Sequence, residues 1–120
     1  MAGDGDPMDG QVLLLTAAKA SVSPQRLPDI VDLTQAHLAD RLDEYRREYE
    51  VAFDQPDRVG FFVDDGHWET LGHRLGFDEQ EADALRRIHA AQLRRIGKEL
   101  GRMEEFETAL DIRDALVIGR

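Results

Sequence analysis

The sequence predicts a mainly α fold, a compact bundle of about four to five helices with an optional two-stranded β ribbon. Apolar residues recur at helical spacing over most of the chain, and a glycine-capped turn joins two such segments near its middle. Only two short stretches are rich in β-branched and aromatic residues. The 120 residues fit one domain, which we place at residues 11–120 behind a disordered acidic tail at residues 1–10.

The composition is strongly acidic, with 25 Asp and Glu against 15 Lys and Arg and a net charge of −10. Of the basic residues, 13 are arginines and only Lys19 and Lys98 are lysines. Such a surface is typical of proteins that work in molar salt, where a Debye length of ~3 Å weakens self-repulsion. We therefore expect a halophilic archaeal source. A high-GC bacterium, which also replaces Lys by Arg, is the alternative.

The same composition narrows the function classes. A net negative charge disfavours non-specific binding to nucleic acid and to acidic membranes. The apolar run Val12–Leu15 is too short to span a membrane, and Met1–Gly10 has no basic residue to start a signal peptide. The lack of cysteine excludes disulfides and thiolate chemistry. We expect a cytoplasmic protein that does not bind a membrane.

The N-terminal half contains two predicted helices. Gln11–Ala20 is predicted as a short buried helix, with a strand over Val12–Thr16 as the rival. From Asp29 to about Phe53 the apolar pattern is helical and forms one stripe. Packing within the chain is the favoured role of this stripe, and a coiled coil is the alternative. The stripe consists of Val31, Gln35, Leu38, Leu42, Tyr45, Tyr49 and Ala52. Its tyrosines, Tyr45 and Tyr49, mark a candidate self-association face.

Two short strands are predicted, Val59–Val63 and Ala115–Ile118. Each is too short to be stable alone, so we expect them to pair into a ribbon that caps the helices. An Asp65-Gly66 turn follows the first strand.

The central stretch specifies a helix, a turn and a longer helix. Trp68–Leu75 places apolar residues on one face, Gly76 is a C-cap glycine, and Asp78 with Glu81 forms a capping box. The second helix is predicted to run for about seven turns. Its glycines, Gly97 and Gly101, indicate either close packing of another helix or a kink. Glu104–Arg113 is predicted to continue as helix.

One surface stripe runs against the overall charge. Its members follow one another at spacings of seven, four and four residues along the predicted long helix. The functional interpretation is a docking surface for nucleic acid or for an acidic partner. The alternative is pairing with the chain's own carboxylates. The stripe is Arg87, Arg94, Lys98 and Arg102.

A metal or small-enzyme interpretation centres on Asp64–His73. Glu69 and His73 lie four residues apart on one helical face, and His67 is near in sequence. The paired Glu-x-x-His motifs of di-iron bundles and the HExxH motif are absent, and no nucleophile motif occurs. We therefore expect no cofactor, no metal and no catalytic residue.

The central string HWETLGHRLGFDEQEADALRRI resembles the Trp-containing helix-turn-helix of death-fold domains and the first half of DNA-binding helix-turn-helix units. The chain as a whole resembles a group of small uncharacterised haloarchaeal proteins. That resemblance lies in the strings VLLLTAAKAS, GHWETLG, LRRIG and FETALDIRDALVIG. It implies halophily and a single domain, and no activity.

The sequence therefore predicts a non-enzymatic, cytoplasmic protein-interaction or regulatory module of a halophile. Its partner is an unknown protein or a second copy. The first alternative is a nucleic-acid-associated regulator that uses the basic stripe. The second is a small metal-binding protein or enzyme around Asp64–His73.

Overall fold

The computed structural model describes residues 7–120. It is mainly helical with a small sheet, as the sequence predicts, although the sheet has three strands instead of two. The elements in chain order are α1 (Gly10–Ala17), α2 (Leu27–Leu38), a 3-10 turn (Ala39–Arg41), α3 (Leu42–Glu48), β1 (Glu50–Asp54), β2 (Arg58–Asp64), α4 (His67–Leu75), α5 (Glu79–Glu99), α6 (Met103–Leu110) and β3 (Arg113–Gly119).

The sheet is antiparallel with strand order β1-β2-β3. The predicted pairing of Val59–Val63 with Ala115–Ile118 is confirmed, with Val59 opposite Ile118. The unpredicted strand β1 forms a hairpin with β2 and has a bulge between Val51 and Phe53.

The predicted helix from Asp29 to Phe53 is interrupted near its middle and is wrong from Glu50 onward, where β1 begins. It stops at Leu38, resumes after the 3-10 turn and ends at Glu48, where Tyr49 turns to extended backbone at φ −130° and ψ 160°. The reason is non-local: without β1, the second edge of the buried strand β2 would lack hydrogen-bond partners. Four residues of the stripe that recur every seven positions are buried as predicted: Val31, Leu38, Tyr45 and Ala52. They lie on three different elements, α2, α3 and β1.

The start of α5 is as predicted. The Asp78 carboxylate accepts the Glu81 N–H at 2.8 Å, and the Glu81 carboxylate accepts the Asp78 N–H at 3.0 Å. Gly76 ends α4 at φ +80°.

The far end of α5 combines both alternatives for its glycines. The helix breaks after Glu99, and Gly101 adopts φ +69° before α6 begins. Gly97 permits close packing, because a Cβ there would lie 2.6 Å from Cδ2 of Phe106. The predicted helix Glu104–Arg113 is correspondingly shorter.

Helices cover both faces of the sheet. Phe61 contacts Tyr45 of α3, with ring centroids 5.8 Å apart, and Phe62 contacts Phe106 of α6 at 5.6 Å. Consecutive strand residues point to opposite faces, so α3 and α6 lie on opposite sides of β2. The helix α5 packs along β3.

Side chains from three helices bond to backbone groups on the outer edge of β3. Trp68 Nε1 donates to Ala115 O at 2.8 Å, and Gln35 Nε2 donates to Val117 O at 2.8 Å. The Val117 N–H donates to Nδ1 of His89 at 2.9 Å. Side chains of three helices therefore lie along the edge of β3 at which a further strand could otherwise pair.

The folded part of the chain begins before residue 11, the predicted boundary between the tail and the domain. Residues 1–6 of that tail lie outside the described residues, but Met8 is buried in the core and α1 begins at Gly10. The helix is confirmed over its strand rival. It is not wholly buried, because Leu14 is 72% and Leu15 is 57% exposed.

Candidate functional site

An open groove of about 420 Å³ lies between α1 and α5 and reaches the start of α6. We call it the basic groove. Five of its ten lining residues are basic and none is acidic, which reverses the charge of the chain as a whole. The lining is Val12, Leu15, Thr16, Lys19, Arg87, Ala91, Arg94, Arg95, Lys98 and Met103.

Polar contacts of Asp9, which we call the polar clamp, hold the N-terminus of α1 against α5. The helix α1 forms one wall of the groove. The buried side chain of Gln92 accepts the Asp9 N–H at 2.7 Å and donates to the Asp9 carboxylate at 3.1 Å. Arg58 and Arg95 contact the same carboxylate at 3.2 and 3.0 Å. Burial raises the pKa of Asp9, but the Gln92 hydrogen bond and the two arginines outweigh it and leave that pKa below its usual value. The clamp therefore sets the position of α1.

The charges of the groove divide into paired and unpaired groups. Arg87 pairs with Asp83 at 2.9 Å, and Arg94 pairs with Glu107 at 2.6 Å. The exposed Lys98 has no carboxylate within 4.0 Å among residues 7–120, and the same holds for Lys19. The chain's only two lysines thus both line the groove, and neither is paired with a carboxylate of residues 7–120.

The structure brings together three of the four predicted stripe residues: Arg87, Arg94 and Lys98 line the basic groove. Arg102 is not among them. It pairs with Glu105 at 2.6 Å, donates to Ala52 O at 2.8 Å and lies over the ring of Phe106. Among the described residues, the alternative of internal pairing therefore holds for the three arginines of the stripe and not for its lysine.

The tyrosines proposed for self-association pack within the chain. Tyr45 is 4% exposed, and its hydroxyl lies 2.8 Å from Nε2 of His67. The Tyr49 hydroxyl lies 3.4 Å from Nδ1 of the same ring. Burial raises the pKa of Tyr45 and lowers that of His67, so both groups are neutral at pH 7. This is the intramolecular packing that the sequence favoured. Only Tyr49, which is half-buried, retains a surface for a second copy.

The region Asp64–His73 does not assemble a ligand set. Both ring nitrogens of His67 face tyrosine hydroxyls, and His73 is exposed on α4. Across residues 7–120, no group of three or more His, Asp or Glu side chains is arranged to hold a metal ion. A nearby cleft of about 310 Å³ is acidic, but Arg86 lies in it and pairs with Asp83 at 2.8 Å.

The α1 wall of the groove was missed by reasoning from sequence. The signal was present in the run of three leucines, Leu13–Leu15, because consecutive residues of a helix cannot all face one core. Lys19 was a second signal, as one of only two lysines in an arginine-rich chain.

Comparison with known proteins gives a family without an assigned activity. The family model described as "Domain of unknown function (DUF8048)" matches residues 6–120. No curated protein and no solved structure matches the chain. Within the described residues, no helix has the length and apolar character that crossing a membrane requires.

Proposed function

We propose that the chain, which belongs to this family of unknown function, is a non-enzymatic interaction module that binds a partner protein through the basic groove. The observation that carries the proposal is the charge of the groove. Five basic residues and no acidic residue surround its apolar floor, in a chain with a net charge of −10. This arrangement suits a partner surface that is apolar at its centre and acidic at its rim.

The shape of the surface favours a protein over a small molecule. Small-molecule sites bury most of their ligand, whereas this groove is open and is lined by the exposed Leu15 of α1. Exposed apolar surface with a polar rim is typical of protein-interaction sites. Removing such surface from water contributes about 25 cal/mol per Å².

Nucleic acid remains the alternative ligand, because the same cations could contact phosphates. Two observations favour a protein. The floor of the groove is apolar, and Arg87 and Arg94 already contact carboxylates, which a partner's carboxylates can replace without a change in chemistry. The metal or enzyme alternative around Asp64–His73 has no supporting arrangement of side chains.

The proposed setting is the cytoplasm of a halophilic archaeon, on the strength of the acidic composition and the haloarchaeal resemblance. The likeness of Trp68–Ala82 to death-fold and helix-turn-helix units carries less weight. The start of α5 bears Glu79 and Glu81, where a recognition helix would meet phosphate repulsion. If the setting is right, the free energy of unfolding increases as KCl is raised towards molar concentrations, because salt screens the net charge.

Affinity co-purification from a haloarchaeal lysate at molar KCl tests the function. The variant Lys19→Glu/Lys98→Glu reverses both unpaired lysines of the groove, and Arg47→Glu is a single charge reversal on the exposed side of α3. We expect a set of proteins that the wild type and Arg47→Glu retain and that the double variant loses. Equal retention by all three overturns the proposal. Fluorescence anisotropy measures the binding of a short DNA duplex to the same three proteins. If only the duplex binds in a way that depends on the lysines, the ligand of the groove is nucleic acid instead of a protein.

A further inference from the structure

We propose that the partner segment in the basic groove is an acidic amphipathic α-helix, which lies on α5 beside Ala91 as α6 lies beside Gly97. This inference rests on the proposed function and specifies the partner's chemistry. Three features of the molecule support it: a template within the chain, a matching surface on the groove side, and side chains that occupy part of the sheet edges.

The template is α6, an acidic amphipathic helix that already packs on α5. Its inner residue Phe106 is fully buried and touches Gly97, where a Cβ would lie 2.6 Å from its ring. Its outer residue Glu107 contacts Arg94 at 2.6 Å. A small residue on α5 thus admits an apolar side chain, and a neighbouring cation binds a carboxylate beside it.

The groove side of α5 repeats this combination. Ala91 is a small residue on the floor, and Arg87, Arg94 and Lys98 lie on the same helical face at spacings of about four and seven residues. Lys19 of α1 stands in the opposite wall. A helix placed over Ala91 would therefore have cations on both sides. Arg94 lies in both surfaces, since it lines the groove and also pairs with α6.

The edges of the sheet are partly occupied by side chains. Gln35, Trp68 and His89 bond to Ala115 and Val117 on the outer edge of β3. At the other edge, Arg102 donates to Ala52 O of β1. Strand addition depends on free backbone groups, and these contacts occupy part of them, so the helix-in-groove mode is favoured.

This mode sets the pattern of the partner sequence. Apolar anchors at i, i+3 or i+4, and i+7 would contact Leu15, Ala91 and Met103, and Asp or Glu residues on the flanks would meet the lysines. In molar salt, with a Debye length of ~3 Å, long-range attraction is lost. The carboxylates must then touch the lysines directly, and the apolar anchors supply most of the affinity.

Fluorescence anisotropy with designed peptides tests the inference on the full-length protein. The probe has Leu at the anchor positions and Glu on the flanks. One control has the same residues in scrambled order, and another has a central Leu→Pro substitution that breaks the helix. We expect binding of the probe, and a loss of about tenfold or more in affinity, ~1.4 kcal/mol, for each control. The variant Lys19→Glu/Lys98→Glu is expected to weaken the probe similarly, and Arg47→Glu is expected to leave it unchanged.

The outcomes separate the two proposals. If the proline peptide binds as well as the probe and both depend on the lysines, the helix is wrong and the groove remains the site. If the peptides bind regardless of the lysines, the groove is not the site and both proposals fail. If no peptide binds while co-purification still depends on Lys19 and Lys98, the acidic helix is wrong and the interaction module stands. Equal circular dichroism spectra of the variants confirm that each is folded.

Discussion

The helix α5 has a closed side and an open side, and both are built from the same kinds of residue. Towards α6, Gly97 receives the buried Phe106, and Glu107 neutralises Arg94. Towards α1, Ala91 floors an open groove, and Lys98 has no partner among the described residues. The difference is that, within residues 7–120, the chain supplies an acidic helix to one side and none to the other. An interface within the fold thus indicates what a partner needs in order to bind next to it.

A third side of α5 faces β3 and is closed more completely. His89 is wholly buried, and its Nδ1 accepts a hydrogen bond from the Val117 N–H. The centroids of the His89 and Trp68 rings are 4.3 Å apart. Nδ1 is an acceptor, so the proton of the neutral ring is on Nε2. That atom has no hydrogen-bond partner among the described residues. The side that faces β3 therefore depends on neutral, well-packed groups, and the open side carries charge.

Truncation of an aromatic ring should give the largest difference between the two sides. Phe106→Ala removes a fully buried ring from the closed side, and we expect a loss of about 3–5 kcal/mol in the free energy of unfolding. Met103→Ala on the groove side, where Met103 is 37% exposed, should cost far less. Urea denaturation followed by circular dichroism measures both. Similar losses would contradict the division into closed and open sides.

Enlargement of the small residues should affect stability on the closed side and peptide binding on the open side. Gly97→Leu drives a side chain into Phe106, and we expect a loss of about 1–3 kcal/mol from overpacking. Ala91→Leu faces open space and should leave stability nearly unchanged, but it should weaken the acidic peptide because it fills the floor of the groove. Denaturation and anisotropy on the same samples check the pair. Normal peptide binding by Ala91→Leu would count against the docking geometry.

Acid should destabilise the side of α5 that faces β3. Burial lowers the pKa of His89 to about 3, below the usual value of 6.5. Between those pH values the unfolded chain binds a proton that the folded chain excludes. Stability is therefore full above pH 6.5 and falls as the pH drops, by up to about 1.4 kcal/mol per pH unit.

The variant His89→Gln removes this proton and should show a shallower decline in stability between pH 6.5 and 4.5, whatever its stability at pH 7. Asp9 also loses its contribution in acid, because its pKa is lowered, but it does so in both proteins. Equal slopes for the variant and the wild type would show that His89 is not held neutral by the fold.

Neutralisation of single surface charges should give the smallest effects. Arg94→Gln breaks an ion pair whose side chains are 46% and 50% exposed, and such pairs are worth about 0.2–1 kcal/mol. Lys98→Gln breaks none and should change stability by less than about 0.5 kcal/mol. Both should weaken the acidic peptide. Thermal denaturation at low and at molar KCl measures the two stability losses. The difference between the variants should disappear in molar salt, because salt screens the ion pair.

Prediction from sequence succeeded where the signal was local. The capping box of Asp78 and Glu81 and the C-cap at Gly76 are set by neighbouring residues, and the structure confirms both. The pairing of the two apolar strands was also predicted correctly, because each strand needed a partner and the other was the only candidate strand in the sequence prediction. β1 was missed, since Glu50–Asp54 continues a helical pattern and becomes a strand only when β2 lies beside it.

The candidate site was predicted in part, for the same reason. Arg87, Arg94 and Lys98 fall on one helical face by spacing alone, so the sequence determined the cationic side of α5. It also determined the net charge that makes this side exceptional and the cap that starts the helix. These properties depend on neighbours along the chain or on composition.

Only the tertiary structure decided which charges are unpaired and where the apolar floor lies. Glu107 reaches Arg94 because Gly97 admits α6, and Lys19 faces the groove because Gln92 anchors Asp9 from 83 positions along the chain. Such contacts join residues that are distant in sequence, and no periodicity records them. The groove exists because packing brings α1 to α5 and leaves Leu15 beside Ala91 with no third helix of the described chain over them.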